Sequence, residues 1–409
     1  MSARRLAALV VNHRTGAWAL QCLESLRREW ARSGRSPEDL ELVVVDSGSG
    51  ADEEPRLLEL EERGVRVLRV AENLGYAGSL CLGYRATHGG PDDAVALLNP
   101  DLLFLPGSLE PLLDALDDGS VGAVGPRTYL DEELEVQLPP NELPTPGREL
   151  LEALAARSPR LARWRAAART RRARRWWTTT TPRETDMLSG ACLLLRRGVV
   201  DALGGPMDPA YPLYFEDADL CARLADRGLR LVLEPASRVL HHWSRSAGPV
   251  FAGEVARRHA LGRARYLARH HGGLLGSLTR GLRLALEWWR PEGAACVHGF
   301  DDLGQHSQPP EVDLGRPGEA LLELSLTPFF GLAAGVLVAE RRHRLPARTW
   351  SWMFPGTYFV RALDLESGAL LGAWRFTKDS PARSWPLDPD VLPAGPIQES
   401  VGATQERAG

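Results

Sequence analysis

The chain has 409 residues, enough for two or three domains, and 44% of them are apolar, which supports a sizeable buried core. The formal net charge is −4 and the sequence pI is about 6.2, so the overall charge does not favour a nucleic-acid partner and we expect none. The five cysteines are widely spaced and form no Cys-x-x-Cys pair, which argues against a disulfide framework and a zinc site and favours a reducing cytoplasm.

No stretch predicts a secretory leader or a membrane-spanning helix. The first apolar run, about six residues long, is shorter than a signal-peptide core and lacks a cleavage site. The longest apolar run, at residues 329–339, is about half of the ~20 residues that a spanning helix needs. We therefore expect a cytoplasmic protein that is soluble or lies peripherally at the inner face of the cell membrane.

Two short apolar runs, at residues 6–11 and 40–45, predict buried strands. The first is followed by a polar turn that starts at Asn12 and by a helical pattern, and the second ends on Asp46. Strand, polar turn and helix in alternation are typical of a doubly wound α/β sheet. In such sheets the functional groups lie at the carboxyl ends of the strands, so Asn12 and Asp46 are candidates.

A third strand is predicted at residues 65–70, and Asn73, Gly75 and Gly78 follow where another helix opens. Glycines there allow the backbone to approach a ligand, and a helix N-terminus favours anions, although ordinary turn glycines are the alternative. The sequence has no G-x-G-x-x-G fingerprint after the first strand and no P-loop motif. These absences argue against dinucleotide-binding and P-loop proteins.

The most informative stretch is residues 94–101, an apolar run that ends on Asn99, Pro100 and Asp101. Because Pro100 cannot continue a strand ladder, Asn99 and Asp101 are predicted at a strand's carboxyl end, on the same edge as Asp46. A carboxylate at that edge can hold a divalent cation against a diphosphate. The alternative is a simple Asn-Pro-Asp turn that caps the next element.

Residues 157–175 contain nine arginines and no acidic residue, and they run into Trp176 and Trp177. A basic segment that ends in tryptophans is compatible with a helix lying on an anionic membrane. The alternative is a solvated helix enriched in arginine by a compositional bias, since Lys378 is the only lysine in the chain. Failure to bind liposomes in a salt-sensitive way would contradict the membrane hypothesis.

Three carboxylates, on Glu216, Asp217 and Asp219, lie beside two aromatic residues at the predicted start of a helix that ends near residue 228. Any one of them can simply cap the helix. Three in four positions are better explained by chemistry, because a general base must stand within hydrogen-bond reach of the proton that it removes.

A later histidine, His241, follows Asp217 by 24 residues and ends another short predicted strand. An imidazole at that point can complete a metal site with Asp101. The alternative is a histidine with a purely structural role.

The remainder of the chain predicts helices and then a β unit. Residues 254–290 have a helical pattern with a leucine stripe, residues 306–318 are polar and Pro-rich and predict a linker, and residues 322–376 show the alternation of antiparallel hairpins. We therefore predict a doubly wound α/β domain at residues 1–250, a helical extension at 251–300, a small β-sandwich-like domain at 301–385 and a disordered tail at 386–409.

Seven motifs, taken in chain order, resemble family 2 glycosyltransferases of GT-A fold, and the rhamnosyltransferase-like branch is the most similar. The resemblance covers about residues 6–250. The motifs are Val10-Val-Asn, Val-Val-Asp46-Ser, Asn73-Leu-Gly-Tyr-Ala-Gly, Leu-Leu-Asn99-Pro-Asp101, Ser189-Gly-Ala-Cys, Phe215-Glu-Asp-Ala-Asp-Leu-Cys and Val-Leu-His241-His.

The resemblance implies a donor site at the strand ends. Asp46 is expected to bind the nucleotide, and the other donor-side residues are expected to be Asn12, Asn73, Gly75 and Asn99. It also implies a divalent cation, Mg²⁺ or Mn²⁺. Asp101 takes the metal-binding position of the family's D-x-D element, where Asn99 replaces the first carboxylate, and His241 matches a later metal-binding histidine.

The implied reaction is an inverting transfer of a sugar from a nucleotide-sugar donor to an acceptor hydroxyl. Asp217 is expected to be the general base, with Glu216 and Asp219 beside it. The expected donor is dTDP-rhamnose, with a UDP- or GDP-sugar as the alternative. The expected acceptor is a cell-surface polysaccharide or a lipid-linked glycan, which implies a peripheral contact with the membrane.

Two other classes of function are weighed against this one. A non-catalytic protein that binds carbohydrate or nucleotide sugar would work through the C-terminal β unit, and the presence of Asp101, Asp217 and His241 favours the enzyme instead. A nucleotidyltransferase would need a Gly-rich phosphate loop after the first strand, which the sequence lacks.

Overall fold

Strands and helices alternate from the first described residue, as predicted. The structure, a computed structural model, describes residues 5–242, 253–289 and 295–382. The elements up to residue 129 are β1 (Leu6–Asn12), α1 (Gly16–Arg32), β2 (Leu40–Ser47), α2 (Glu54–Glu62), β3 (Arg66–Val70), α3 (Gly75–Arg85), β4 (Ala94–Leu98), β5 (Leu102–Phe104), α4 (Leu109–Ala115) and β6 (Val121–Tyr129).

The middle of the chain adds helices and three more strands to this sheet. They are α5 (Pro146–Ala155), α6 (Pro159–Thr178), β7 (Arg183–Thr185), β8 (Cys192–Arg196), α7 (Arg197–Ala202), α8 (Glu216–Ala225) and β9 (Arg230–His241). Within the described residues the sheet has nine strands in the order β3-β2-β1-β4-β8-β6-β9-β5, with β7 paired to β9. Buried apolar side chains cover both faces, which confirms the predicted doubly wound α/β layer.

The register of the parallel strands brings the predicted polar residues to one edge of the sheet. Strand β1 lies between β2 and β4 and is parallel to both, with Asn12 opposite Asp46 and Val10 opposite Leu98. The carboxyl ends of the three strands therefore meet, as the sequence predicts for Asn12, Asp46 and the residues that follow β4.

Two strands near the site have features that the motifs did not indicate. Strand β8 is antiparallel to β4 and begins at Cys192, after Gly190, whose amide donates to the Asp217 carboxylate instead of to a neighbouring strand. Strand β9, which ends at His241 as predicted, is 12 residues long and so is not short. Its Pro235 lies at a register shift, where a bulge accommodates the missing amide donor.

The C-terminal part consists of a helical hairpin and two further sheets. Its elements are α9 (Gly253–His271), α10 (Gly273–Trp289), β10 (Asp301–His306), β11 (Glu311–Asp313), β12 (Ala320–Ser325), β13 (Ala334–Val338), β14 (Arg342–Arg344), α11 (Ala347–Trp352), β15 (Gly356–Asp364) and β16 (Leu370–Lys378). In the described residues β10-β16-β15-β12-β13 form one sheet and β11-β14 another. The predicted separate antiparallel β unit is confirmed, and only the β10–β16 pair in it is parallel.

The predicted linker at residues 306–318 is wrong, because it contains β11. Only one side chain of that strand, Val312, is buried, between exposed Glu311 and Asp313, so its composition resembles that of a loop. The predicted limits of the four regions stay predictions. The tail at residues 386–409, predicted to be disordered, lies outside the described residues.

One face of helix α6, which carries the arginine-rich segment, is buried between the two large sheets. The two tryptophans are 9% and 1% exposed, and the Trp177 indole donates to the Leu138 carbonyl at 3.0 Å, so the interfacial role suggested for them is wrong. Arg169 pairs with the fully buried Glu323 of β12, which Arg361 of β15 also contacts at 2.7 Å. Although burial acts to raise the pKa of Glu323, these two guanidinium groups hold it below its usual range. The helix therefore joins the two parts of the molecule.

The helical stretch predicted at residues 254–290 is two antiparallel helices, because the chain turns at Gly272 with a positive φ of 83°. Helix α9 packs on α8, and α10 packs on α9 and α5. No helix of the described residues combines the length and apolarity needed to cross a membrane.

Candidate active site

A buried polar pair lies where β1 and β2 end. The Asn12 amide donates to Asp46 Oδ1 at 2.7 Å, and Asn12 Oδ1 accepts from the amide and the hydroxyl of Thr15 at 2.8 and 2.9 Å. Ser49 donates to the same Asp46 oxygen, and Asp46 is 5% exposed. Asn12 therefore orients the Asp46 carboxylate, and the two side chains act as one unit.

The loop before α3 lies against this pair. Asn73 Oδ1 accepts from the Gly75 amide at 2.8 Å and from the Ser47 hydroxyl at 3.3 Å. Gly75 has a positive φ of 72°, and a side chain there would come within 3.3 Å of the Pro212 carbonyl. Gly75 is thus required for the close approach of α3 to the loop that precedes α8.

Asp101 and His241 meet beside the end of β4. Strand β5 places Leu102 opposite His241, so His241 Nε2 lies 3.5 Å from Asp101 Oδ1 and 3.5 Å from the Asn99 amide. Asp101 is 2% exposed, and its Oδ1 has no hydrogen-bond partner among the described residues. Burial acts to raise the pKa of Asp101, but His241 and His242 hold it below its usual range, so the carboxylate stays charged.

Glu216 and Asp217 begin α8 on the opposite side of this edge. The two residues before them, Tyr214 and Phe215, both have left-handed backbone conformations, with φ of 63° and 69°. Such conformations cost a bulky residue roughly 1–3 kcal/mol of strain energy, and they are typical of functional sites. Asp217 is partly exposed and accepts from the Gly190 amide at 3.1 Å.

The two carboxyls differ from ordinary surface acids. Burial, and then the charge of Asp217, raises the pKa of Glu216 to about 8, and Glu216 Oε2 has no hydrogen-bond partner in the described structure. Burial also raises the pKa of Asp217, although the Gly190 and Ala218 amides oppose this. Near neutral pH Glu216 is therefore mostly neutral, and the pair carries one negative charge, on the better exposed Asp217.

Tyr76 connects the two sides of the site. Its hydroxyl donates to the Gly190 carbonyl at 3.1 Å, and Gly190 is the residue whose amide binds Asp217. Burial and the charges of Glu216 and Asp217, with a smaller effect from Asp101, raise the pKa of Tyr76 well above its usual value. The Asn99 backbone amide donates to the carbonyl of Ala191, the residue after Gly190, at 2.8 Å, so the end of β4 and the α8 carboxyls meet at this segment.

Asp219 differs from its two neighbours because it is fully buried and surrounded by donors. It accepts from Tyr211 at 3.2 Å and from Arg223 at 2.8 Å, and His270 of α9 lies 2.8 Å away. Arg269 also contacts it at 3.3 Å. Its surroundings favour a role in holding α8 against α9, and its predicted catalytic role stays untested.

Comparisons with known proteins decide the family. The model of "Glycosyl transferase family 2" matches residues 8–204. The N-acetylglucosaminyl-diphospho-decaprenol L-rhamnosyltransferase of Mycobacterium tuberculosis, from strains CDC 1551 / Oshkosh and ATCC 25618 / H37Rv, is 31% identical over 65% of this chain and 82% of the relative. The chain belongs to glycosyltransferase family 2. The GT-A-like fold expected from the resemblance is confirmed.

Solved structures also resemble this glycosyltransferase. The mannosyltransferase PcManGT of Pyrobaculum calidifontis, solved with GDP-Man and Mn²⁺, is 17% identical and covers 70% of this chain and 75% of its own, with a TM-score of 0.42. GalNAc-T7, solved with UDP, GalNAc and Mn²⁺, is 12% identical and covers 91% of this chain and 72% of its own, with a TM-score of 0.41. The family assignment depends on the Mycobacterium tuberculosis relative and the family model.

Three residues of the glycosyltransferase's site received no role from the sequence. Tyr76 lies inside one of the quoted motifs, but an aromatic residue in a helix gives no sign that it is not simply part of the core. Arg14 follows β1 with a positive φ of 60° and donates to the Ser49 carbonyl at 3.2 Å. Gly262 of α9 packs on the strained loop, and nothing in the sequence near it indicates a contact with residues almost 50 positions earlier.

Gly262→Ala is expected to disturb the strained loop at Tyr214 and Phe215, which precedes α8. An added Cβ would lie 2.7 Å from the Tyr214 carbonyl oxygen, so α9 or the loop must move. We expect a loss of roughly 1–3 kcal/mol in unfolding free energy and a lower kcat. The control is Gly281→Ala in α10, where a Cβ meets nothing within 4 Å and should be neutral or stabilising by up to about 1 kcal/mol. Equal changes in unfolding free energy and in kcat for the two variants would contradict this packing.

Glu216→Gln is expected to stabilise the glycosyltransferase increasingly as pH rises. Folded Glu216 holds its proton up to a pH of about 8, whereas the unfolded chain releases it near 4.5. Between these values the unfolded state binds fewer protons, so this group lowers stability as pH increases. We expect the variant's advantage in denaturant titrations to grow by roughly 1–3 kcal/mol from about pH 5 to about pH 8. A difference that does not change with pH would contradict the raised pKa.

Proposed function

We propose that this enzyme is an inverting glycosyltransferase that moves rhamnose from dTDP-rhamnose to a hydroxyl of a lipid-linked glycan or a cell-surface polysaccharide. The Mycobacterium tuberculosis relative, an N-acetylglucosaminyl-diphospho-decaprenol L-rhamnosyltransferase, supports this choice of donor and acceptor. The observation that carries the proposal is the arrangement around Tyr76. The charged Asp101 carboxylate, 3.5 Å from His241, lies on one side, and a pair of carboxyls with raised pKa values lies on the other, joined to Tyr76 through Gly190.

The donor lies along the ends of β1, β2 and β4. Asp46, oriented by Asn12 and Ser49, is placed to accept hydrogen bonds from the nucleoside. Asn73 and Gly75 bring the α3 N-terminus, a favourable place for phosphate, to the same edge. Arg14 carries a positive charge beside this edge, and Asn99 lies next to Asp101.

Asp101 and His241 are the residues that would hold a divalent cation, Mg²⁺ or Mn²⁺. They fit because Asp101 Oδ1 is buried, charged and without a hydrogen-bond partner among the described residues. Among the described residues no group of three His, Cys, Asp or Glu side chains is placed to bind a metal. The diphosphate and water would therefore complete the coordination. A bound cation would neutralise the charge that develops on the departing diphosphate.

Asp217 acts as the general base. As the acceptor oxygen forms a bond to the anomeric carbon, its proton passes to Asp217, and the bond from that carbon to the diphosphate oxygen breaks with the electron pair leaving on the nucleoside diphosphate. One displacement of this kind inverts the anomeric configuration. The raised pKa of Asp217 makes it a stronger base than a surface aspartate, and neutral Glu216 can donate a hydrogen bond in the same space.

The test is a panel of sugar nucleotides, with dTDP-rhamnose, UDP-glucose and GDP-mannose offered in parallel. Binding is measured by calorimetry, and transfer to a decaprenyl-diphosphate-linked N-acetylglucosamine in detergent is measured by mass spectrometry. We expect dTDP-rhamnose to bind in the presence of Mg²⁺ or Mn²⁺ and to give a product heavier by one deoxyhexose. Preference for another donor would contradict the sugar assignment, and tight binding without transfer would favour a binding protein.

A further inference from the structure

The outward face of α10 is apolar. Leu274, Leu278 and Leu282, spaced four residues apart on one side of the helix, are 78%, 54% and 54% exposed, and Trp288 near the end is 86% exposed. Scattered exposed leucines are ordinary, but a continuous stripe that ends in a tryptophan is not. It leaves a large apolar surface on one helix without a partner among the described residues.

The inward face of the same helix is polar or small. Thr279 is 2% exposed, and Arg283 contacts Glu149 of α5 at 2.8 Å. A side chain at Gly276 would come within 3.0 Å of the α9 backbone, so the helix fits closely against the hairpin only in this orientation. The polarity of α10 is therefore the reverse of that expected for a helix of a water-soluble surface. The internal contacts fix the leucines outward.

Arginines outnumber acidic residues on the hairpin that carries the apolar stripe. The hairpin at residues 253–289 contains seven arginines and two glutamates. Four of these arginines, at positions 263, 265, 269 and 283, pair with acidic residues of other elements, and Arg257 and Arg280 are exposed. Helix α6, which packs on α5, has an exposed Arg163 and a Trp164 that is 59% exposed. A leucine face, a terminal tryptophan and an excess of arginine are together typical of a helix that lies in the plane of a membrane interface.

We infer that the outer face of the α9–α10 hairpin docks the enzyme onto an anionic lipid bilayer. The inference depends on the proposed function, because a lipid-linked acceptor is present only at such a surface. The arginines are complementary to anionic headgroups, and the leucines enter the boundary between headgroups and acyl chains. A second copy of this chain or another protein would have to match the same exposed arginines with carboxylates.

Docking at this face brings the loop at Tyr214 and Phe215, which precedes α8, close to the bilayer. The opposite side of α9 supports that loop, with Gly262 against the Tyr214 carbonyl and the His259 ring 5.0 Å from Phe215. His270 of α9 also contacts Asp219 of α8. The hairpin thus links the membrane to the helix that carries Glu216 and Asp217. An acceptor whose lipid stays in the bilayer can then present its sugar hydroxyl to Asp217.

The experiment is co-sedimentation of the full chain with vesicles of phosphatidylglycerol and phosphatidylcholine in equal parts, and with vesicles of phosphatidylcholine alone. The variant is Leu278→Glu/Leu282→Glu, at two exposed positions that the fold does not need. The matched control is Leu58→Glu/Leu370→Glu, whose leucines are 48% and 45% exposed on other surfaces. We expect wild type and control to bind the anionic vesicles, and the variant to partition at least about tenfold less.

Three results would overturn the inference: no binding of wild type to anionic vesicles, equal binding of the variant, or a dimer in solution that the variant dissociates. Binding of dTDP-rhamnose to the same samples separates this failure from failure of the proposed function. Wild type and both variants should bind the donor equally. Vesicle binding without donor binding would support the docking surface and contradict the proposed donor. Donor binding without vesicle binding would contradict only the docking surface.

Discussion

Asp217→Asn is expected to lower the turnover number by about 10²–10⁴-fold while leaving donor affinity nearly unchanged. The amide keeps the shape of the side chain and can still accept a hydrogen bond from the Gly190 amide, but it cannot take the acceptor's proton. Single-turnover transfer from dTDP-rhamnose and calorimetric titration of the donor measure the two quantities separately. Loss of both would mean that Asp217 shapes the donor site instead of acting as the base.

Glu216→Gln is the matched control, since it makes the same chemical change one residue earlier. Glu216 is already mostly neutral near pH 7, because burial and the charge of Asp217 raise its pKa to about 8. We expect turnover at neutral pH within about tenfold of wild type, because the amide preserves a neutral hydrogen-bond donor. In wild type, the rate should rise with pH as Asp217 loses its proton. Similar losses in the two variants would contradict the assignment of Asp217 as the single base.

Asp101→Asn is expected to abolish metal-dependent turnover and to weaken Mn²⁺ binding in the presence of dTDP by at least about 10²-fold. It removes the buried carboxylate, 3.5 Å from His241, that we propose as a ligand of the cation. Electron paramagnetic resonance of Mn²⁺ measures the affinity directly. The matched change is Asn99→Asp, which adds a carboxylate where the amide now lies 3.5 Å from His241 Nε2. We expect that variant to bind Mn²⁺ about tenfold more tightly.

Metal affinity that is the same in both variants and in wild type would contradict the cation site. A fall in Asp101→Asn without a rise in Asn99→Asp would keep Asp101 as a ligand and place Asn99 outside the coordination sphere. Turnover in excess chelator, with Asp101→Asn as active as wild type, would show that the leaving diphosphate needs no cation.

The strand ends were the part of the site that the sequence could predict. Short apolar runs that stop on Asn12, Asp46 and Asn99 predict parallel strands, and parallel register necessarily brings their carboxyl ends together. The sequence also predicted that His241 ends a strand, but it did not predict that this strand pairs with β5. The family resemblance added the roles of these residues, and those roles stay predictions.

Tertiary contacts determined what the sequence could not show. Nothing local distinguishes Asp219, buried among donors from α8 and α9, from partly exposed Asp217 two residues earlier. In the same way, nothing in the sequence separates Arg169 of α6, which pairs with Glu323 more than 150 residues later, from the exposed arginines of the same helix. The leucine stripe of α10 was found, but its periodicity does not tell whether it faces the core or the outside.

We propose that one edge of the sheet binds the nucleoside diphosphate opposite a base on α8. A crystal structure with dTDP-rhamnose and Mn²⁺ tests this arrangement most directly. We expect the cation to be bound by Asp101 and His241, the nucleoside to lie against Asp46, and the anomeric carbon to face Asp217. Donor or cation bound elsewhere, or Asp217 on the same face of the sugar as the leaving diphosphate, would contradict it.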